Sequence, residues 1–327
     1  MNGYRDRAVL VIGGFGFIGV NLTRELARLG ARVTVVTPSL DRHRAMAADL
    51  APLGVRALEG DLRDPLAMRT AIADQEIVFN LAGRSGAVRS MEDPWTDLDV
   101  NCRGNLVLLE AIRGATPSAK LVFVSSRLAY GRAGESTAAG AAVREDHEVD
   151  PMCVHAVHKV AVEQYLRLYA RLYGVRFAAA RLTNPYGPGQ PRERTAYGVV
   201  NRLIHLAMAG EPLPVYGDGR QLRDYIYIDD AVQALLTLGA APACDGRIYN
   251  VGSGAGTRLV DMARAIASIV GRGHVEFAPW PALAALIETG DFVADVGKIH
   301  RDTGWAPRVG LTEGLERTVA FYRAHVA

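Results

Sequence analysis

The stretch Ala8-Val-Leu-Val-Ile-Gly13-Gly-Phe-Gly16-Phe-Ile-Gly19 decides the fold. Its apolar run reads as a buried strand. The segment Phe17–Leu29 that follows has apolar residues three and four apart, the pattern of an amphipathic helix. A glycine loop between strand and helix turns backbone N–H groups, and the positive end of the helix, toward an anion. In that context the loop reads as a cradle for a dinucleotide pyrophosphate, formed by Gly13, Phe15, Gly16, Phe17, Ile18 and Gly19.

The same alternation continues outward. Arg32–Val36, Val55–Glu59, Ile77–Leu81, Lys120–Ser125 and Arg176–Arg181 read as strands, and Arg42–Leu53, Pro65–Ala73, Asp97–Gly114 and Val154–Tyr173 as helices. Nearly all-apolar strands alternating with helices predict an α/β fold: a Rossmann-type doubly wound parallel sheet over residues 1–183. Asn184-Pro-Tyr-Gly-Pro-Gly-Gln-Pro191 breaks the pattern. Beyond it, Val199–Ala209, Asp229–Leu238, Arg258–Val270 and Leu311–His325 read as helices, and Leu213–Tyr216, Asp224–Ile228 and Arg247–Val251 as strands. They predict a smaller mixed α/β substrate domain over 184–327, with 224–251 returning to the first domain.

The 327 residues suit two domains. The 37 basic and 35 acidic residues are scattered rather than blocked, which argues against a nucleic-acid partner. No apolar run approaches 18 residues, so no membrane span is expected, and the first run is too short for a signal-peptide core. Cys102, Cys153 and Cys244 are odd in number and widely spaced, which suits reduced thiols and a cytoplasmic location.

The Gly-x-x-Gly-x-x-Gly spacing resembles that of the short-chain dehydrogenase/reductases. Its Gly-Gly-Phe-Gly-Phe-Ile-Gly form is similar to the extended branch, the NAD(P)-dependent sugar-nucleotide epimerases and dehydratases. The resemblance covers nearly the whole chain. Asp61 and Leu62 match its adenine-contacting segment, Asn80-Leu81-Ala82-Gly83 the loop beside the cofactor, and Asn101 its asparagine. Val124-Ser125-Ser126-Arg-Leu-Ala-Tyr-Gly131 matches the serine motif, while Arg181–Gln190 and Tyr216–Asp229 resemble the substrate-domain signatures. The resemblance implies a nucleotide-diphosphate sugar substrate near Ser125, Ser126, Asn184, Tyr216 and Arg223, with Arg223 on the diphosphate unless it pairs with a neighbouring acid. It also implies a homodimer paired through Asp97–Gly114 and Val154–Tyr173, unless those apolar faces are covered within one chain.

Strand two ends Val35-Val-Thr37-Pro-Ser39 without the acid that normally accepts from the ribose hydroxyls of NAD. Arg42 and Arg44 could meet a 2′-phosphate, and Asp41 could replace the acid, so NADP and NAD both stay open, with NADP slightly favoured.

By resemblance Ser126 is the catalytic hydroxyl and Lys159 the lysine that binds the ribose. The position four residues before the lysine, a tyrosine in the family, is His155. An imidazole with an ordinary pKa near 6.5 is a competent base at pH 7, although it reaches less far than a phenol. Cys153, His155 and His158 look superficially like metal ligands, but the family register accounts for them and no metal is expected. Arg127 and Leu128 stand where dehydratases of the family carry an Asp-Glu pair, which disfavours that route to dehydration. The favoured reading is epimerisation through a transient keto-sugar. A ketoreductase, a dehydratase, a decarboxylase and a catalytically silent cofactor-binding scaffold are the alternatives.

Overall fold

The computed structural model describes residues 3–132, 142–190 and 198–325. Twelve named strands occur among them: β1 (Ala8–Ile12), β2 (Arg32–Thr37), β3 (Arg56–Glu59), β4 (Ile77–Asn80), β5 (Lys120–Ser126), β6 (Arg176–Leu182), β7 (Asn184–Tyr186), β8 (Pro212–Tyr216), β9 (Leu222–Tyr227), β10 (Arg247–Val251), β11 (Gly256–Arg258) and β12 (His274–Ala278). Seven form one all-parallel sheet in the order β10-β6-β5-β4-β1-β2-β3. This is the doubly wound arrangement. Its strand order reverses between β1 and β4, and the loops leaving those two strands lie side by side there.

The sheet is covered on both faces, which explains its apolar strands. Val9 and Val11 of β1 face one core with Leu22 and Leu26 of α1 (Phe17–Arg28), while Leu10 and Ile12 face the other. The helix α2 (Arg44–Leu50) adds Leu50 to the first of these cores. The far core is closed by Met68 and Ile72 of α3 (Pro65–Ile72) and, beyond α4 (Ala87–Glu92) and α5 (Pro94–Leu98), by α6 (Gly104–Ala115) and α7 (Val154–Tyr173). The helix predicted over Asp97–Gly114 is interrupted. Asp99–Arg103 forms a π turn between α5 and α6, an irregularity invisible to an apolar repeat.

The second half contains α8 (Val199–Ala209), α9 (Ile228–Ala240), α10 (Leu259–Val270), α11 (Ala282–Leu286), α12 (Gly297–Thr303) and α13 (Leu311–His325). Strand β10 returns to the large sheet beside β6. Strand β9 instead pairs with β7 and β11 in a three-stranded sheet, and β8 pairs with β12. The sequence pattern missed β12 because it is a mostly exposed edge strand with little apolar signal. Pro191, at the end of the predicted break, lies outside the described residues. No helix among the described residues is long and apolar enough to cross a membrane.

Candidate active site

The glycine loop fits an anion. Gly13 has φ +82°, and a β-carbon there would sit 2.8 Å from the Ala82 amide nitrogen, so the loops after β1 and β4 touch only because a side chain is missing. A β-carbon on Gly19 would run into the Gly13 carbonyl oxygen and the Gly14 backbone. Gly16 caps α1 without a side-chain acceptor, and the first turn carries no acid, so the dipole end with Phe17 and Ile18 is left for an anionic ligand. Phe15 is buried, and His43 stacks on it at 5.3 Å while its Nδ1 lies 3.0 Å from Thr37 Oγ1 at the end of β2. Asp41 and Arg44 pair at the surface beside the exposed Arg42. Further along the cleft, Asp61 grips Arg63 through both carboxylate oxygens, and Leu62 is buried against Gly104. The Asn80 carboxamide accepts from the Ala82 N–H and donates to Asn105 Oδ1 at 2.8 Å. This holds the Leu81-Ala82-Gly83 loop.

The start of α7 carries the proposed chemistry. Its first two turns place His155 and Lys159 one turn apart on the same face. Lys159 is buried and donates to the Val124 carbonyl at 2.8 Å, over the Phe123 ring. Burial is the main cause that brings its pKa down to about 8, against the opposing pull of Asp97 and Glu163. A β-carbon on Gly83 would lie 2.6 Å from Asn101 Oδ1 and 3.8 Å from Lys159 Nζ, so cofactor loop, asparagine and lysine converge there.

His155 is 6% exposed, with its backbone N–H donated to Ser90 Oγ at 3.0 Å. Its Nδ1 lies 3.4 Å from Asn101 Nδ2 and 3.8 Å from Asp97 Oδ2. Burial lowers the imidazole's pKa below 6.5, with Lys159 and His158 adding to the effect and Asp97 opposing it, so the ring is neutral at pH 7. Asp97 also accepts from His158 Nδ1 at 2.6 Å and from Asn101 Nδ2 at 2.9 Å. Burial pushes its carboxyl up, but hydrogen bonds from His155, Asn101 and His158 outweigh this and hold it at about 2. It is a fixed anion behind the histidine. Sequence reading missed Asp97, Ser90 and His158 as a cluster. The available signal was the four-residue spacing from Asp97 to Asn101, which the π turn obscures. Among the described residues no three His, Cys, Asp or Glu side chains converge as a metal site, and the three cysteines are buried and unpaired.

On the substrate side, Ser126 accepts from the Leu128 N–H and opens the 3-10 turn Arg127–Tyr130. Ser125, expected at the substrate, donates to Glu163 at 2.6 Å beside the buried Glu163–Arg181 ion pair. Asn184 donates to the Asp224 carbonyl at 2.8 Å. Tyr216 ends β8 with its ring against Trp280, 5.5 Å away. Arg223 is paired with Glu288 and donates to the carbonyls of Leu222 and Gly290. The acid pairing weighed for Arg223 in the sequence is the arrangement present.

Residues 9–252 match the family model described as "NAD dependent epimerase/dehydratase family". The UDP-glucose 4-epimerase of Mycolicibacterium smegmatis is 32% identical, across 96% of this chain and 98% of its own length. The Thermus thermophilus UDP-glucose 4-epimerase, solved as a complex with NAD, superposes with a TM-score of 0.85 at 31% identity, covering 97% of this chain and 99% of that one. MoeE5, solved with UDP-glucuronic acid and NAD, gives a TM-score of 0.83 at 27% identity, covering 97% and 99%. A glycine cradle at the reversal of a parallel sheet, with a family match running from β1 to just past β10, makes this chain a member of the NAD-dependent epimerase/dehydratase family.

Proposed function

We propose that the chain is a cytoplasmic, NAD-dependent nucleotide-sugar 4-epimerase that works through a transient keto-sugar, with His155 as its base. The observation that carries the reading is the cluster on α7: a neutral, buried His155 backed by the Asp97 carboxylate, one turn from a buried Lys159 that meets Asn101 at Gly83. NAD is preferred to NADP because the similar solved enzymes hold NAD and because Arg44 is already paired with Asp41. We take residues 1–183, joined by β10, as the dinucleotide domain and most of 184–327 as the substrate domain.

Gly13, Gly16, Gly19 and the first turn of α1 would hold the cofactor's pyrophosphate, and Lys159 its nicotinamide ribose. Bound NAD would supply a reversible hydride acceptor, taking hydride from the sugar C4 and returning it to the opposite face. His155 removes the C4 hydroxyl proton through Nε2. This needs the tautomer with the proton on Nδ1, the nitrogen that has the Asp97 carboxylate 3.8 Å away. Ser126 orients the same hydroxyl, and a bridging water spans the shorter reach of imidazole. When the ketone is reduced, the imidazolium returns the proton. The absent phenol favours the silent-scaffold alternative, and the retained Ser126, Lys159 and Asn101 oppose it.

The test is to incubate the NAD-loaded protein with UDP-glucose, UDP-galactose, UDP-glucuronate and dTDP-glucose, then separate products by chromatography with mass detection. The expected product has unchanged mass and altered retention. Loss of water or of carbon dioxide would replace epimerisation by dehydration or decarboxylation, and bound NAD without conversion would support a scaffold.

We further propose a homodimer. Val157, Leu168 and Leu172 on α7 share one face and are exposed, as are Trp95 and Leu98 on the adjoining α5. Leu172→Glu is expected to halve the mass measured by light scattering. A wild-type monomer at micromolar concentration would end this reading.

A further inference from the structure

Arg127 follows Ser126 directly and is 9% exposed. Its Nη1 donates to Thr289 Oγ1 at 2.9 Å, and its plane lies over the Phe292 ring at 5.3 Å. The opposite edge, Nε–H and Nη2, donates to nothing among the described residues. Nearby acids are already engaged. Glu288 pairs with Arg223, and Asp224 accepts from Ser253, Gly254 and Ala294. The Tyr225 hydroxyl, within electrostatic range of both arginines, is buried without a partner. Burial, followed by repulsion from Arg223, brings the Arg127 guanidinium down to about 9, a sign of an under-compensated charge.

The free edge of a guanidinium matches two carboxylate oxygens, each accepting one of two parallel N–H bonds. In the chain Arg127 follows Ser126, the proposed contact to the sugar hydroxyl, whereas Arg223 of β9 is held by Glu288. We propose that Arg127 is a specificity residue that receives the carboxylate of a uronic-acid nucleotide sugar. This rests on the sugar-nucleotide reading above and narrows its substrate class.

The experiment measures calorimetric affinities of UDP-glucuronate and UDP-glucose for the NAD-loaded wild type, Arg127→Met and Arg127→Lys, so turnover is not required. Methionine keeps the apolar packing on Phe292, and lysine keeps the charge but loses the two-pronged edge. The wild type should prefer UDP-glucuronate, and Arg127→Met should reduce that preference about 10- to 100-fold, the scale of a lost charge-assisted pair. Arg127→Lys should fall between. Equal loss for both sugars would place Arg127 on the diphosphate and overturn the proposal, as would unchanged preference in both variants. If the wild type binds NAD but neither sugar nucleotide, the parent reading falls with it. If it binds both equally, only the uronate assignment falls.

Discussion

His155→Ala is expected to lower kcat by about 10²- to 10⁴-fold, the usual contribution of a positioned general base. NAD affinity should stay near wild type, because His155 meets Ser90, Asn101 and Asp97 rather than the glycine cradle. The pH profile separates a base from a packing role. Burial holds the histidine below 6.5, so the wild-type rate should fall only as pH drops beneath that value and the ring takes a proton. Lys159, held near 8, should give a falling limb as pH rises through 8 and its charge is lost. His155→Ala should lose the acid limb and keep the alkaline one. His155→Tyr restores a longer-reaching base and should retain measurable turnover. Full activity in His155→Ala, or an unchanged acid limb, would remove His155 from the chemistry.

The largest stability effect is expected at Glu163. Its carboxylate is fully buried and receives Nε and Nη2 of Arg181 at 3.0 and 2.6 Å, together with the Ser125 hydroxyl at 2.6 Å. Such a pair gains little over well-packed apolar groups, but removing one partner strands the other charge, at a cost of about 3–5 kcal/mol. Glu163→Ala should therefore lower the melting temperature by roughly 10 °C, taking the lower shift per kcal/mol of larger chains. The double replacement Glu163→Ala with Arg181→Met should recover part of that loss. A fall under about 1 kcal/mol in chemical denaturation would show that water reaches Arg181 and screens it. Because Glu163 fastens β5 to α7, loss of turnover should exceed the unfolded fraction.

The large sheet was legible because a parallel sheet covered on both faces leaves short apolar runs between amphipathic helices, and Val154–Tyr173 agrees to the residue. The candidate site was legible only where it coincides with chain-local motifs: the glycine loop, Ser126 and the His155-to-Lys159 spacing. What escaped was chemistry made by tertiary approach. Asp97 stands 58 residues before His155 in number but faces it in space, and nothing local announces that the Ser125 hydroxyl bonds Glu163. For Arg223 an acid partner was foreseeable but its identity was not, since nothing local announces Glu288. The small sheets were harder still, being two- and three-stranded with exposed edges and weak alternation.

The π turn at Asp99–Arg103 has a consequence for insertions and deletions. Asp97 on its N-terminal side serves the histidines of α7, while Asn105 on its C-terminal side bonds Asn80 beside the cofactor loop. The wide turn takes up one supernumerary residue, so both ends of a single rod still face their partners. Losing any one residue of the turn would close it to the ordinary repeat and leave the flanking turns, with Asp97 and Asn105, facing nearly as they do now. The segment therefore tolerates the loss of one residue, and a relative shortened by one residue here would keep both the fold and the anion behind its base.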